Sequence, residues 1–501
     1  MASSIVVSSP GKVLMAGGYL VLDSAYSGVV VSTSSRFYSV VQPASAGESG
    51  VRPIQITVRS PQFVGATWVY NVNINGGNVV VQQQDVSGPK NKFVQLAIER
   101  TLALAVETNG VDSVIDTLSN SLVITILGDN DFYSQRAQLS ARNLEPTLAS
   151  LSRLPPFLHT GVPISQVHKT GLGSSAALIT SLVSALLLHL KVIPSDSFDT
   201  EIPSEGRKLA HNLAQYVHCL AQGKVGSGFD VSAAAFGSQL YTRFDPEVIQ
   251  GLMNDAVAPG SLKNVLSPSN KDWNHKAIPF QLPPQVRLML ADVDAGSDTP
   301  SLVGKVLRWR KDNAEEARTL WNTIDRYNQT LSKMLLRLSS LATESPEAYK
   351  KAVKYLSTIQ SVQWLAYPGF PEQERVVVET FVEVRDATEG IRAHMREMGT
   401  LSDVPIEPPE QTQLLNTCVS IAGVIGGGVP GAGGYDAVWL LALEPIDCPA
   451  PEQPCARVQS VWAQYTALSV SPLLASESTA KGVRVEKWDA VPGLKEAMGQ
   501  A

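Results

Sequence analysis

The sequence has few cysteines and no excess of positive charge. Its four cysteines are scattered over 501 residues, at Cys219, Cys418, Cys448 and Cys455. This is unlike the dense cysteine framework of a small secreted protein, and it favours a reducing compartment over a bridge between Cys448 and Cys455. With 40 basic and 46 acidic residues the net charge is −6, which argues against a general binder of nucleic acid or of membrane surfaces. Any anionic ligand must therefore meet cations that the fold gathers locally.

The sequence also shows no pattern typical of a membrane-targeting segment. The first ten residues lack the basic start and the continuous apolar core of a signal peptide. The most apolar stretch, residues 175–191, is interrupted by Thr180, Ser184 and His189 and is too short to span a bilayer. It predicts a buried helix, and we expect a cytoplasmic protein that binds neither membrane nor nucleic acid.

The order of the predicted elements indicates two α+β domains. The first third is rich in short β-branched or aromatic segments, whereas helical spacing dominates from residue 174 onward. Residues 246–284 are rich in Pro, Asn, Ser and Gly, so we predict an N-terminal domain over 1–245, a connecting segment over 246–284 and a C-terminal domain over 285–501. The predicted segments include strands at 4–8, 28–33, 36–42, 122–127, 230–243 and 286–293 and helices at 91–107, 175–191, 205–222, 300–341, 345–363 and 372–397.

The strongest local pattern opens the apolar helix, where residues 169–177 read Lys-Thr-Gly-Leu-Gly-Ser-Ser-Ala-Ala. Glycines let the backbone wrap an anion, hydroxyls cap a helix or ligate Mg²⁺, and a helix N-terminus offers unpaired N–H groups. The pattern predicts a phosphate loop made of Gly171, Leu172, Gly173, Ser174, Ser175 and Ala176. A dinucleotide fingerprint fits the same letters but lacks the preceding buried strand, and a plain helix cap is the remaining alternative.

Two further glycine-rich segments flank this loop at a distance along the chain. Residues 9–19 place Lys12 among Ser, Pro, Gly and Ala residues that suit tight turns. Residues 426–436 form a run of glycines that includes Gly433 and ends at Asp436. Either segment alone is typical of a flexible connection. Together with the phosphate loop, and in this order, they indicate one shared site.

The three segments resemble the GHMP kinase superfamily, and the resemblance covers most of the chain. Within it, residues 169–177, 223–234 and 296–305 resemble the phosphomevalonate kinases of the fungal type. The resemblance implies an N-terminal domain of the ribosomal protein S5 domain 2-like type, a ferredoxin-like C-terminal domain and a ligand cleft between them. It also implies ATP and Mg²⁺.

The resemblance assigns roles position by position. It implies that the phosphate loop holds ATP and that Ser174 or Ser175 approaches the metal. It implies further that Asp230 is the catalytic aspartate and that Lys12 neutralises the transferred phosphoryl group. One departure is that mevalonate kinases carry a metal-binding glutamate on the helix before this aspartate, whereas residues 218–222 contain no acid. The completion of the Mg²⁺ shell is therefore left open.

The chemistry of a phosphorylated acceptor predicts a cationic site. A phosphomonoester has a second pKa of about 6 and is largely dianionic at pH 7, so it attacks without losing a hydroxyl proton. Positive charge then matters more than a strong base, because the acceptor phosphate and the triphosphate of ATP repel each other. Four lysines in or beside the glycine motifs are predicted to supply that charge: Lys12, Lys169, Lys224 and Lys305. For Lys305, a position on a solvated helix surface is an equally good explanation.

The remaining candidates are polar residues close to the same motifs. The predicted substrate contacts are Lys169, Lys224, Ser227, Ser297, Thr299, Ser301 and Gly433. Capping of the next helix is the alternative for the hydroxyl residues at 297, 299 and 301. Asp436 either touches substrate or ties down its loop. His211 and His218 lie about 10 Å apart along one helix and are predicted to be structural.

We therefore expect a kinase that transfers the γ-phosphoryl group of ATP to 5-phosphomevalonate, giving 5-diphosphomevalonate and ADP in the mevalonate route to isoprenoids and sterols. The alternatives are a related kinase with an alcohol acceptor such as mevalonate, and a catalytically silent sensor of the same fold. Retention of Lys12, Ser174, Ser175 and Asp230 disfavours the sensor. The expected partners are the small-molecule substrates, and no oligomeric state is predicted.

Overall fold

The computed structural model describes residues 4–44, 54–200, 202–254, 258, 260–293, 299–367 and 369–499, except for the side chains of residues 299 and 300. Its strands are β1 (Ile5–Ala16), β2 (Ser27–Pro43), β3 (Ile54–Arg59), β4 (Thr67–Asn75), β5 (Asn78–Gln83), β6 (Leu122–Gly128), β7 (Gln239–Thr242), β8 (Lys276–Pro279), β9 (Val286–Val293), β10 (Val424–Gly428), β11 (Ala437–Leu443), β12 (Val470–Pro472) and β13 (Arg484–Val485). Its helices are α1 (Lys92–Asn109), α2 (Val111–Leu118), α3 (Arg136–Ser140), α4 (Leu148–Leu151), α5 (Ser174–His189), α6 (Glu205–Gln222), α7 (Phe229–Phe236), α8 (Glu247–Gln250), α9 (Ser261–Val265), α10 (Thr299–Asp312), α11 (Ala314–Glu344), α12 (Pro346–Leu356), α13 (Glu372–Ser402), α14 (Pro409–Val419), α15 (Pro454–Gln464) and α16 (Leu494–Ala497).

The first half of the chain folds around a large sheet in the order β13-β1-β2-β6-β3-β4-β5, with β7 and β8 attached beside β2. β1 and β2 form a long antiparallel pair, while β3 and β6 run parallel. Helix α5 packs on β1 and β2, and α1 and α6 pack on α5. Every residue of α5 from Ala176 to Leu187 is buried because the segment is apolar or small on all sides. The predicted buried helix is confirmed.

The second sheet lies in the C-terminal half and holds four antiparallel strands in the order β10-β11-β9-β12. Alternate residues of β9 face opposite sides, so that Leu288 and Leu290 join the core shared with α13, whereas Met289 and Ala291 join a core shared with α14 and α15. Both faces are covered, which explains why β11 reads as a continuous apolar run and β9 is apolar from Leu288 to Ala291. The long helices α11 and α13 pack against each other beside this sheet.

The end of the chain returns to the large sheet. Strand β13 pairs with β1, and the buried guanidinium of Arg36 donates to the carbonyl oxygen of Gly482 at 2.6 Å. Arg207 on α6 donates to the carbonyl oxygens of Lys481 and Val483 at 2.9 and 3.0 Å. Strand β8, inside the predicted connecting segment, also pairs with β7 of the large sheet. The large sheet is thus built from three separate stretches of sequence, which positions the cleft described below.

Three predicted elements differ from the structure. β1 continues through Pro10 and Gly11, where a turn is predicted, because register shifts between Pro10 and Lys12 and between Leu14 and Ala16 accommodate the proline and the glycines. Residues 230–243 are not one strand, since helix α7 precedes the short β7. The helix predicted over 300–341 is broken at Asn313, where α10 ends and α11 begins.

Other predictions agree closely with the structure. The prediction for β9 is confirmed residue for residue, and α6 covers its predicted range. Ser204 caps α6 by accepting from the backbone N–H of Arg207, and Gly223 ends the helix in the left-handed conformation at φ 71°. All four cysteines are free thiols. Within the described ranges, no helix has both the length and the apolar character needed to cross a membrane.

Candidate active site

A cleft of about 690 Å³ opens where the large sheet meets the C-terminal half. Its walls come from β1, the phosphate loop, the end of α6, the start of α7 and the glycine-rich loop before β11. The side chains and backbone that line it belong to Lys12, Leu14, Tyr19, Val21, Leu22, Phe93, Gly171, Gly173, Gln215, His218, Ala221, Gln222, Lys224, Gly226, Ser227, Gly228, Phe229, Asp230, Val303, Pro430, Gly431, Ala432, Gly433, Asp436 and Ala437. All three glycine-rich segments predicted from the sequence therefore meet in one place.

The phosphate loop leads directly into α5. Gly171 and Gly173 have φ values of 77° and 78°, a left-handed conformation that glycine adopts without strain. Gly173 occupies the N-cap position, and no side chain caps the helix. A Cβ at Gly173 would lie 3.0 Å from Cε of Lys12, so the glycine also leaves room for the lysine stem. The first N–H groups of α5 are thus presented without a competing side-chain cap.

Lys12 projects from the irregular part of β1 onto this loop. Its backbone N–H donates to the carbonyl oxygen of Leu172, and its Nζ donates to the carbonyl oxygen of Gly171, both at 2.9 Å. The Nζ atom also lies 5.3 Å from the centre of the Phe229 ring. Burial lowers the pKa of the Lys12 ammonium, while the carboxylates of Asp230 and Asp436 oppose that shift. Lys12 therefore presents a half-buried cation between the phosphate loop and two carboxylates.

Asp230 lies in the first turn of α7 and faces a histidine. Its Oδ2 is 3.7 Å from Nε2 of His218, and the same Nε2 is 3.1 Å from Oγ of Ser175. His218 is 3% exposed, which places a buried imidazole between a serine of the phosphate motif and the candidate catalytic aspartate. His218, predicted to be structural, therefore lines the cleft beside the predicted site residues. His211, by contrast, packs in an aromatic group with Phe236 away from the cleft.

The loop between α6 and α7 is held by hydrogen bonds to its backbone. Arg243 donates to the carbonyl oxygens of Val225 and Gly226, and its Nη1 donates to the carbonyl oxygen of Leu22. Tyr241 donates to the carbonyl oxygen of Ser227 at 2.7 Å. Lys224, on this loop, is exposed and lines the cleft.

The third glycine-rich loop touches β1 across the cleft. Gly431 donates its N–H to the carbonyl oxygen of Leu14 at 3.1 Å, and the Tyr19 hydroxyl donates to the carbonyl oxygen of Ala432 at 2.7 Å. Gly433 has φ 73°, and a Cβ there would lie 2.1 Å from the carbonyl oxygen of Ile406. Glycine at this position is required by close backbone contact as well as by conformation.

Other predicted site residues lie elsewhere or outside the described region. Lys169 is exposed just before the phosphate loop and does not line the cleft, and Ser301 is exposed on α10. Nζ of Lys305 is 3.4 Å from Oδ2 of Asp403, in an exposed pair. Ser297 lies outside the described residues, and Thr299 begins α10 with its side chain undescribed.

Several residues that line the cleft were not predicted. Gln215, His218 and Gln222 lie on α6 at spacings of three and four residues, so they share one face of a helix whose other face carries the apolar residues of the core. Polar residues at helical spacing on a buried helix are the signal that could have identified this wall. Tyr19 and Phe93 carried no comparable signal, because single aromatic residues usually belong to a core.

The oxygen donors in and beside the cleft fit a magnesium ion held mainly by a substrate. Among the described residues, no group of three or more His, Cys, Asp and Glu side chains could hold a metal. Asp230 and the serines at the start of α5 offer one carboxylate and hydroxyl oxygens. Mg²⁺ is usually bound by one or two carboxylates together with substrate phosphates and water. This donor set is therefore sufficient when a nucleotide supplies the rest.

Comparison with known proteins identifies the family. The model of the GHMP kinases N terminal domain matches residues 141–238. Over 468 residues the chain is 39% identical to the peroxisomal phosphomevalonate kinase of Arabidopsis thaliana, covering 88% of this chain and 90% of that protein. The chain belongs to the phosphomevalonate kinase family. A second relative, the phosphomevalonate kinase of Aspergillus fumigatus, is 39% identical over 475 residues, which cover 88% of this chain and 87% of that one. Membership in this family makes the chain a kinase, as the sequence predicts.

A solved structure supports the fold. Phosphomevalonate kinase from Streptococcus pneumoniae, in complex with phosphomevalonate and AMPPNP, matches with a TM-score of 0.55 at 15% identity, over 95% of this chain and 100% of that chain. At this identity the likeness establishes the fold alone. The predicted two-domain α+β fold of the GHMP kinases is confirmed.

Proposed function

We propose that this chain transfers the γ-phosphoryl group of ATP to (R)-5-phosphomevalonate and releases ADP and 5-diphosphomevalonate, a step of isoprenoid and sterol biosynthesis. The observation that carries the proposal is Lys12, whose Nζ lies 2.9 Å from the phosphate-loop carbonyl of Gly171. The names of the curated relatives support the acceptor.

The charges at the cleft suit two phosphorylated substrates. Lys12 and Lys224 both line a cleft in a chain whose net charge is −6. Since the acceptor phosphate and the γ-phosphate of ATP repel each other at short range, cations between them lower the barrier to their approach. We infer that Lys12 stabilises the transferred phosphoryl group and that Lys224 meets the acceptor. We assign the ATP phosphates to residues 171–176 and further substrate contacts to Ser227 and Gly433, which line the cleft. The contacts of Lys169, Ser297, Thr299 and Ser301 with substrate stay predictions from the sequence.

The acceptor performs the attack with its own negative charge. An oxygen of the dianionic phosphate of 5-phosphomevalonate attacks the γ-phosphorus, and the bond from that phosphorus to the β,γ-bridging oxygen breaks as ADP leaves. No hydroxyl proton has to be removed in this step. Asp230 therefore orients the acceptor and Lys12, and the hydrogen bonds from Arg243 to the preceding loop support the start of the helix that carries this carboxylate.

Mg²⁺ fits this arrangement as a partner of ATP. Ser174 or Ser175 and the carboxylate of Asp230 are the residues that would hold it, and the ion would neutralise charge on the phosphate oxygens. The hydroxyl groups at the start of α5 present their oxygens next to the backbone N–H groups of the helix. The hydroxyl oxygens would thus face the metal ion, while the N–H groups would bind the phosphate oxygens.

The test is ADP release by the purified full-length chain with ATP and Mg²⁺. We expect turnover with 5-phosphomevalonate and background rates with mevalonate, galactose, homoserine or no acceptor. Activity with an alcohol alone would overturn the acceptor assignment, and silence with every acceptor would overturn the proposal. We also place the reaction in the cytoplasm. Imaging of the tagged chain checks this, since the name of the Arabidopsis relative gives a peroxisomal location.

A further inference from the structure

His218 is a buried polar side chain that the proposed reaction does not yet use. It lies on α6, near the end of the helix, with 3% of its surface exposed. Its Nε2 atom has three polar neighbours: Oγ of Ser175 at 3.1 Å, Nε2 of Gln222 at 3.3 Å and Oδ2 of Asp230 at 3.7 Å. These neighbours belong to α5, α6 and α7. One ring nitrogen therefore stands at the junction of the three helices that carry the site.

The burial of this ring demands partners. A buried polar nitrogen without a hydrogen bond costs free energy, and both Ser175 and Gln222 lie within reach. A serine hydroxyl both donates and accepts, so its contact with Nε2 persists in either tautomer of the imidazole. The contact thereby ties the side chain of Ser175 to α6. The carboxylate of Asp230 faces the same nitrogen at 3.7 Å, which is contact distance but longer than a hydrogen bond.

We propose that His218 is a positioning residue, which holds the Ser175 hydroxyl and the Asp230 carboxylate at their working separation during phosphoryl transfer. This inference rests on the proposed function. Phosphoryl transfer depends mainly on positioning and electrostatic stabilisation, and a displacement of about 1 Å can cost roughly 10²-fold in rate. An imidazole can contact both groups without adding another negative charge beside two anionic substrates.

Two substitutions at His218 separate positioning from packing. His218→Leu keeps a buried side chain but removes the polar nitrogen, whereas the amide of His218→Gln can reach the position of Nε2. We expect kcat to fall roughly 10- to 100-fold in H218L, with the KM values for ATP and acceptor changed by less than about threefold, and to be largely restored in H218Q. The matched control is His211→Gln, on the same helix but away from the cleft, which should leave kcat within about twofold.

A second measurement does not depend on turnover. With ¹⁵N-labelled histidine, the imidazole signal lost in H218Q belongs to His218 and the signal lost in H211Q to His211. Ser175→Ala and Asp230→Asn should each shift the His218 signal and leave the His211 signal in place. Unchanged His218 signals in both variants, or a kcat in H218Q as low as in H218L, would overturn the proposal. Absence of transfer to every acceptor in the wild type would refute the proposed function instead, and the ¹⁵N signals would still decide which groups His218 contacts.

Discussion

Lys12 and Lys305 are both predicted members of the cationic clamp, yet the structure gives them different surroundings. Lys12 lies half-buried in the cleft, against the backbone of the phosphate loop and near the carboxylates of Asp230 and Asp436. Lys305 lies on α10 and pairs with Asp403, whose side chain is fully exposed. One lysine sits where distant segments converge, and the other lies on an outer helical surface. A lysine beside a glycine motif becomes half-buried next to carboxylates only where distant segments of the chain meet.

The same contrast extends to the regions around the two lysines. The cleft brings together β1, the phosphate loop, α7 and the loop before β11, which are far apart in sequence. The outer faces of α11 and α13 carry pairs between near neighbours, such as Arg337 with Glu344 and Arg375 with Glu379. Exposed pairs of this kind contribute about 0–1 kcal/mol each. We therefore expect substitutions to have large effects in the cleft and small effects on these helices.

The largest effect is expected from Lys12→Met. Methionine keeps an unbranched stem of similar length beside Gly173 but removes the charge. Loss of a preorganised charge at the reacting group should lower kcat roughly 10³-fold, while the affinity for Mg-ATP changes by less than about fivefold. Steady-state kinetics and calorimetric titration with AMPPNP measure the two quantities. Equal losses in both would contradict a role in the transition state.

Lys305→Met is the matched control for that experiment. Because its partner Asp403 is exposed, we expect kcat and the KM values to stay within about twofold of the wild type. A loss comparable to that of Lys12→Met would contradict the different roles of the two lysines, since it would require Lys305 to reach the substrates during turnover.

A smaller but still large effect is expected for the backbone of the third glycine loop. Gly433→Ala places a Cβ about 2.1 Å from the carbonyl oxygen of Ile406 at φ 73°, and backbone cannot yield easily there. We expect the free energy of unfolding to fall by roughly 2–3 kcal/mol in urea titrations. Gly431→Ala is the matched variant, because its φ is 66° and the added Cβ meets nothing within 4 Å, so it should cost about 1 kcal/mol. Equal losses would show that conformation alone, and not close contact, selects glycine.

The sequence predicted the members of the cleft better than their local conformations. Lys12 was assigned to the site from its neighbours, but Pro10 and Gly11 indicated a turn where β1 continues with a register shift. Gly11 is required by packing instead, since a Cβ there would lie 2.7 Å from Oγ1 of Thr33. Such contacts between distant residues leave no local signal.

For His218, by contrast, the local sequence did contain a usable signal. A histidine on a helix with an apolar face was interpreted as structural, because most such residues are. The presence of Gln215 and Gln222 on the same face was the usable signal. The pairing of Lys305 with Asp403 had no such signal, since the two residues are nearly 100 positions apart and meet only through the packing of α10 and α13.

Asp230→Asn compares a second residue of the cleft with Lys12. If the carboxylate orients groups and takes no proton, kcat with 5-phosphomevalonate should fall only about tenfold, less than the 10²- to 10⁴-fold typical of a lost general base. The rate should also continue to follow ionisation of the acceptor, with an apparent pKa of about 6. Rapid-quench measurement of ADP tests this. A loss of 10⁴-fold with intact substrate binding would show that the aspartate does more than orient the substrates.

The smallest effect is expected for Glu477, a half-buried carboxylate outside the cleft. Its oxygens accept the backbone N–H of Leu282 at 3.1 and 3.3 Å, and burial raises its pKa from 4.5 to about 7. A raised pKa means that the folded state binds the proton more tightly, so this stabilisation is complete below pH 4.5 and is lost as the pH rises through about 7. Glu477→Gln cannot ionise but keeps an oxygen for Leu282, so its thermal midpoint should exceed that of the wild type by roughly 2–4 °C at pH 8 and hardly differ at pH 5.

The activity of Glu477→Gln is the control. Because Glu477 does not line the cleft, kcat should stay within about twofold. A midpoint difference that does not change with pH would mean that Glu477 stays charged in the folded protein. A loss of kcat would mean that the C-terminal segment around Glu477 influences the conformation of the cleft.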